Sequence, residues 1–190
     1  SRSYTLDHHL EYFEKFARKL EKHTKKCVIS FVDMYKKSGR NLKDVCETEV
    51  PSDKKLALAK RFKEITSSCG ITLETCAEDE DFGQFGIRHG RCIDDKLIEQ
   101  LLGRKLKVDK DKFQRLACGC VSSIEIGSYN TCEHGCKYCY ATESESKVKN
   151  NVALHNPLSP LLFGEVEDDV KITERDMKKL SCEVQGSFTF

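Results

Sequence analysis

Apolar residues recur at helical spacing over the first two dozen positions, with Leu6, Leu10, Phe13, Phe16, Ala17 and Leu20 on one side and Glu, Lys and Arg filling the other. Such a stripe predicts an amphipathic helix that covers an apolar surface. Cys27 to Asp33 follows, a β-branched and aromatic run too short for a helix and mostly apolar on both faces, which predicts a buried parallel strand. From Ser52 as N-cap, through Leu56, Ala59, Phe62 and Ile65 to Gly70 as a stop, the pattern predicts a second amphipathic helix, and Ile71 to Cys76 a second strand. Ile93, Leu97, Ile98, Leu101 and Leu102 predict a short helix ending at Gly103. Beyond Cys139 the pattern weakens to a charged, helical stretch from Ala141 to Val152, a loop through His155-Asn156-Pro157, and a final short helix around Thr173 to Leu180.

Strand, helix, strand in that order is a βαβ unit, which builds a parallel crossover with helices on the sheet. The expected class is α/β. Two strands are too few for a parallel sheet, which needs neighbours on its edges and cover on its faces. The chain also enters a helix directly from Ser1. The expectation is therefore the C-terminal portion of a partial, TIM-like βα barrel with a cysteine-rich metal-binding tail: residues 1–105 as βα units and 106–190 as a cluster-binding segment with short helices. A missing N-terminal barrel portion is the first expected partner.

Composition narrows the classes. Lys plus Arg total 32 against 31 Asp plus Glu, a net charge of +1 that gives no general pull toward nucleic acid or anionic lipid. No apolar run is long enough to span a bilayer and no signal-peptide order is present at the start, so a cytoplasmic setting without a membrane is expected. Eleven cysteines, an odd count in a chain with long helical patterns, fit metal ligation in a reducing compartment better than a disulfide framework.

Clustering sorts the cysteines. Cys27, Cys46, Cys69 and Cys182 are isolated and read as filler, whereas Cys118, Cys120, Cys132, Cys136 and Cys139 lie within 22 residues. Thiolates are soft ligands that select iron-sulfur clusters, zinc or copper(I). Three of them, spaced C-x3-C-x2-C in Cys132-Glu-His-Gly-Cys136-Lys-Tyr138-Cys139, can wrap one corner of a cubane [4Fe-4S] cluster and leave the fourth iron without a protein ligand. Gly135 relieves crowding in that loop, Lys137 and His134 offset its negative charge, and Tyr138 and Tyr140 can shield it from water. Two other readings use the same residues. Cys118, Cys120, Cys136 and Cys139 can form a structural zinc site, and Cys118 or Cys120 can close the cluster as a fourth, electron-transfer-type ligand.

At Cys132, Cys136, Tyr138 and Cys139 the sequence resembles the radical S-adenosylmethionine enzymes, whose cluster loop has this spacing and an aromatic residue before the last cysteine. The resemblance implies that the three thiolates each hold an iron and that S-adenosylmethionine binds the open one, to be cleaved to a 5'-deoxyadenosyl radical; substrate and catalytic residues stay unassigned. A longer stretch, including Cys118-Gly119-Cys120, Ile126 to Ala141, Ser30 to Tyr35 and Cys92-Ile93-Asp94, resembles an uncharacterised bacterial family described as a domain of unknown function. That resemblance implies that this chain is the C-terminal portion of the family. The cluster loop lies 51 residues from the C-terminus (190 minus 139), a position that a permuted barrel reconciles with the enzymes it resembles.

Other candidates are read with their plainer roles. Cys76 and Cys92 flank the acidic run Glu78 to Asp81 and can join Cys118 and Cys120 in a second cluster site, but the preferred reading has Cys76 ending a strand and Cys92 packing beside a helix. Asp33 and Tyr35, at the C-terminal end of a strand, are the first candidates for substrate contact. His155 is expected to fix its loop, and His134 to support the cluster.

Overall fold

A computed structural model describes residues 4–34, 41–42 and 49–181. The chain divides into two units, one of Ser1–Asp33, Thr48–Ser123 and Lys179–Phe190, the other of Met34–Glu47 and Ile124–Lys178.

In the first unit, helix α1 (Leu6–Leu20) starts at Thr5, whose hydroxyl accepts the His8 N–H. It leads to strand β1 (Lys26–Ile29), helix α2 (Ser52–Ser68) and strand β2 (Thr72–Thr75). Gly70, at φ +66°, ends α2 in the left-handed conformation that glycine adopts without a Cβ penalty. The βαβ unit is present as expected: β1 and β2 pair in parallel with Cys27 opposite Leu73 and Ile29 opposite Thr75. A third strand not anticipated from the sequence, β3 (Arg88–His89), pairs in parallel with β2. The crossover from Cys76 to Ile87 holds only one 3-10 turn, Gly83–Phe85, and no helix.

The sheet is open, in the order β1-β2-β3, so the established architecture is a mixed α/β unit on a small parallel sheet, and three strands do not show the barrel anticipated above. Alternation sorts its faces. Cys27, Ile29 and Leu73 point to the helices, where Leu58, Ala59, Phe62, Phe82 and Ile87 complete the core and Leu10 and Phe13 of α1 close it. Phe13 and Phe62 stack with ring centroids 4.0 Å apart. On the other face, Lys26 of β1 bridges Glu74 of β2 and Asp94, each at 2.9 Å.

Helix α3 (Asp95–Leu102) has the length and the Gly103 stop that the sequence gives, but its orientation is inverted. Asp95 and Glu99 are its buried residues, whereas Leu101 is 76% and Leu102 57% exposed. The ionic contacts explain this: Glu99 accepts the Leu106 N–H at 3.0 Å and meets Lys96 and Lys105 at 3.2 Å, while Arg91 pairs with Asp95. The Leu106 N–H and the Lys105 ammonium hold the Glu99 carboxyl down at about 2. Since that lies below its ordinary 4.5, Glu99 stabilises fully above about pH 4.5 and loses its contribution as pH falls toward about 2. Urea midpoints of the wild type and Glu99→Gln should therefore differ at neutral pH and converge in acid; curves that stay parallel would refute this assignment.

The second unit carries helix α4 (Glu145–Ala153), capped by the Ser144 hydroxyl on the Lys147 N–H. The helix anticipated around Thr173 to Leu180 does not form: that segment is irregular, Leu180 accepts the Lys107 N–H at 2.8 Å, and Ser181 bridges Leu106. Its apolar side chains stay largely exposed, Met177 at 68%, and a short helix without apolar burial is marginal in water.

Candidate functional site

The C-terminal ends of the parallel strands in the first unit gather most of its unusual chemistry, as strand ends do in parallel α/β sheets. Cys76 directly follows β2 and continues its ladder, its N–H reaching Ile29 O at 2.9 Å. Gly90 continues β3, donating to Thr75 O at 2.6 Å, and leads to Cys92. A Cβ on Gly90 would lie 3.0 Å from the Glu74 Cβ and 3.1 Å from Thr75 O, so only glycine lets the two strand ends approach this closely. The Cys76 and Cys92 thiols consequently touch, Sγ to Sγ at 3.3 Å. Ala77, next in the chain, is held at φ +52°, a strained conformation for a non-glycine residue, where the chain turns away from the strand.

Cys118 and Cys120 arrive from a long loop and pack with Ala77, Cys76 and Ile93. The loop is pinned on both sides of Cys120: its carbonyl accepts the Asp111 N–H at 3.0 Å and the next residue, Val121, donates to Ile93 O at 3.2 Å. The Cys120 sulfur accepts two backbone bonds, from Cys92 N–H at 3.2 Å and Ile93 N–H at 3.3 Å. Burial opposes ionisation of Cys120, but the Ile93 N–H, the Cys118 thiol and the Cys92 N–H outweigh it and bring the group below its ordinary value. Burial, then the Cys92 thiol, push Cys76 up to about 12, and burial raises Cys118.

Beside these thiols the acidic run from Glu78 to Asp81 contributes to a buried ion cluster, which spacing along the sequence does not signal. Glu78 accepts the Phe31 N–H at 2.6 Å and the Ser30 hydroxyl at 2.9 Å, and Lys55 lies 3.9 Å from Glu78 and 2.9 Å from Glu80. Burial alone would lower the Lys55 pKa, yet the Glu80 and Glu78 carboxylates more than offset it and raise the value. Asp33 pairs with Arg115. Tyr35 and two of the isolated cysteines, Cys46 and Cys182, lie outside the described residues.

The second unit holds Cys132, Cys136 and Cys139 on one loop. Cys132 and Cys136 are exposed and Cys139 half-buried. The Cys139 N–H donates to Cys136 O at 3.0 Å, closing a turn after Gly135, which sits at φ +63°. Cys132 and Gly135 line an open cleft of ≈ 240 Å³ with Thr142, Glu145 and Lys149. Tyr138 is exposed, and Tyr140, also exposed, meets Tyr129 edge to face.

Asn130, which no sequence motif singled out, fastens the base of this loop. Its N–H donates to Ala141 O at 2.8 Å, its Oδ1 accepts the Glu143 N–H at 2.6 Å, and its carbonyl accepts Asn151 Nδ2 at 3.1 Å. Its φ of +60° is one that asparagine tolerates better than most residues. Asn130→Ala should destabilise the loop by about 1–2 kcal/mol, seen as faster amide exchange at residues 131–143, with Asn130→Gly recovering the conformational part. Unchanged exchange in the alanine variant would rule this out. His155 plays the loop-fixing part expected of it, its ring nitrogen 2.7 Å from Leu162 O.

Among the described residues no group of three or more His, Cys, Asp or Glu side chains stands ready-made to hold a metal ion. The comparisons agree with the longer resemblance: the family model described as Domain of unknown function (DUF1848) matches residues 1–141. The chain belongs to that family. The DUF1848 match runs through both cysteine groups, from Cys76 and Cys92 to Cys139. No curated protein and no solved structure matches the chain. Among the described residues of this DUF1848 protein, no helix is long and apolar enough to cross a membrane.

Proposed function

We propose that the chain is an iron-sulfur protein that holds a [4Fe-4S] cluster through Cys132, Cys136 and Cys139. The observation that carries this reading is the loop itself, C-x3-C-x2-C closed by a turn at its tip and by Asn130 at its base, with two of its three thiols exposed to an incoming cluster. The donor set fits: thiolates are what such clusters require. Among the described residues of the second unit these are the only cysteines, and Cys118 and Cys120 are engaged with Cys76 and Cys92 in the first, which favours three ligands over a closed set of four. When bound, a cluster of this kind supplies electrons and an open iron, and the finer reading is a radical S-adenosylmethionine-like enzyme with that cofactor on the open iron. Around it, this chain's own part is to position the three sulfurs, with Lys137 and His134 balancing charge. The three-stranded parallel sheet would form part of a larger βα barrel.

The test is anaerobic reconstitution of the full chain with iron and sulfide. About four iron and four sulfide per chain are expected, falling sharply in Cys136→Ser, with S-adenosylmethionine altering the electron paramagnetic resonance signal of the reduced cluster. Absence of bound sulfide would end the cluster reading; an unaltered signal, together with no 5'-deoxyadenosine, would end the enzyme reading.

A further inference from the structure

We propose that Cys76, Cys92, Cys118 and Cys120 form a second site, a structural four-thiolate centre for one zinc ion. The four side chains come from three separate pieces of chain and have no reason of their own to meet. Cys76 and Cys92 are carried by adjacent parallel strand ends, and Cys118 and Cys120 by a loop fastened to the residues around Cys92. Ordinary apolar packing would not aim two backbone N–H groups at the Cys120 sulfur, at 3.2 and 3.3 Å. N–H to sulfur bonds of this kind hold the orientation of thiolate ligands and spread their charge. A Cβ on Gly119, between the two loop cysteines, would stand 3.0 Å from Arg91 Cγ, so that glycine lets a cationic side chain lie against the C-x-C segment.

Spacing selects the ion. In a zinc tetrathiolate with Zn–S bonds of about 2.3 Å, ligand sulfurs stand about 3.8 Å apart. Cys76 and Cys92 stand 3.3 Å apart as hydrogen-bonded thiols, closer than metal ligands would be. Opening by about 0.5 Å, as the thiols lose their protons to solvent and the sulfurs close on the metal instead of on each other, would bring this pair to the spacing of zinc ligands. A cubane cluster places layers of iron and sulfide between its ligands and needs them much farther apart.

The test uses the full chain with Cys132, Cys136 and Cys139 all changed to Ser, so that failure of the cluster reading cannot masquerade as failure of this one. Purified with zinc, it should keep about one zinc per chain, lost at least fivefold when Cys118→Ser and Cys120→Ser are added. Cobalt(II) in place of zinc should give the visible bands of a tetrahedral thiolate site. As a check that needs no change at the ligands, zinc should slow alkylation of Cys76, Cys92, Cys118 and Cys120 in the wild-type chain, mapped by peptide mass spectrometry. No bound zinc, iron with sulfide in its place, or alkylation at these four positions that ignores zinc would overturn the proposal.

Discussion

Lys55→Met is expected to lower the unfolding free energy by about 1–3 kcal/mol, because Glu80 loses its ion-pair partner and the buried Glu78 carboxylate is left with neutral donors alone. Lys55 is a buried residue of α2, and the Glu78 side chain that faces it is only 3% exposed. Glu78 cannot simply turn to solvent, because it caps the end of β1 by accepting the Phe31 N–H and the Ser30 hydroxyl. Methionine matches the lysine stem in length, so the loss reports charge rather than packing. Glu78→Gln added to Lys55→Met should recover part of the loss, since the amide keeps an acceptor oxygen for Phe31 and carries no charge. Urea unfolding measures both, and a single-variant loss under about 1 kcal/mol would show the pair to be solvated like a surface pair.

Phe62→Ala should cost about 3–5 kcal/mol, through lost transfer free energy and an unfilled cavity. Phe62 lies in the core beside Leu58, Ala59 and Leu73 and stacks on Phe13, so it fastens α1 to α2 and both to the sheet. Phe62→Leu, which keeps most of the volume, should cost under about 1.5 kcal/mol. Equal losses in the two variants would mean that the ring stack, not filled volume, holds the layer together.

Periodicity made α1, α2 and the two longer strands legible because each presents a continuous apolar face to one core. It missed β3 for the opposite reason: Arg88 and His89 are polar, and the strand exists because Gly90 lets its backbone pair closely with Thr75. The cysteine loop was visible as local spacing. The meeting of Cys76 and Cys92 with Cys118 and Cys120 stood in the sequence only as the less favoured alternative, since strand register is what brings positions 16 residues apart together, and a loop fastened at Ile93 adds the other two. That Cys76 ends a strand was legible; what periodicity does not carry is that side chains from neighbouring parallel strands converge at such an end. Asn130 gave no periodic signal at all; its role rests on one positive φ and three hydrogen bonds.

Helix α3 keeps its acids inward and its leucines outward, and this inversion makes its response to salt unusual. Asp95 and Glu99 hold it through Arg91, Lys96 and Lys105, whose side chains are 38%, 64% and 79% exposed, so added sodium chloride screens the contacts that seat the helix. Sulfate would at the same time favour burial of Leu101 and Leu102. Chloride should therefore loosen this helix by screening alone, whereas sulfate screens the same contacts and also drives Leu101 and Leu102 toward the nearest apolar surface, so that both salts weaken its present seat and sulfate does so by two routes.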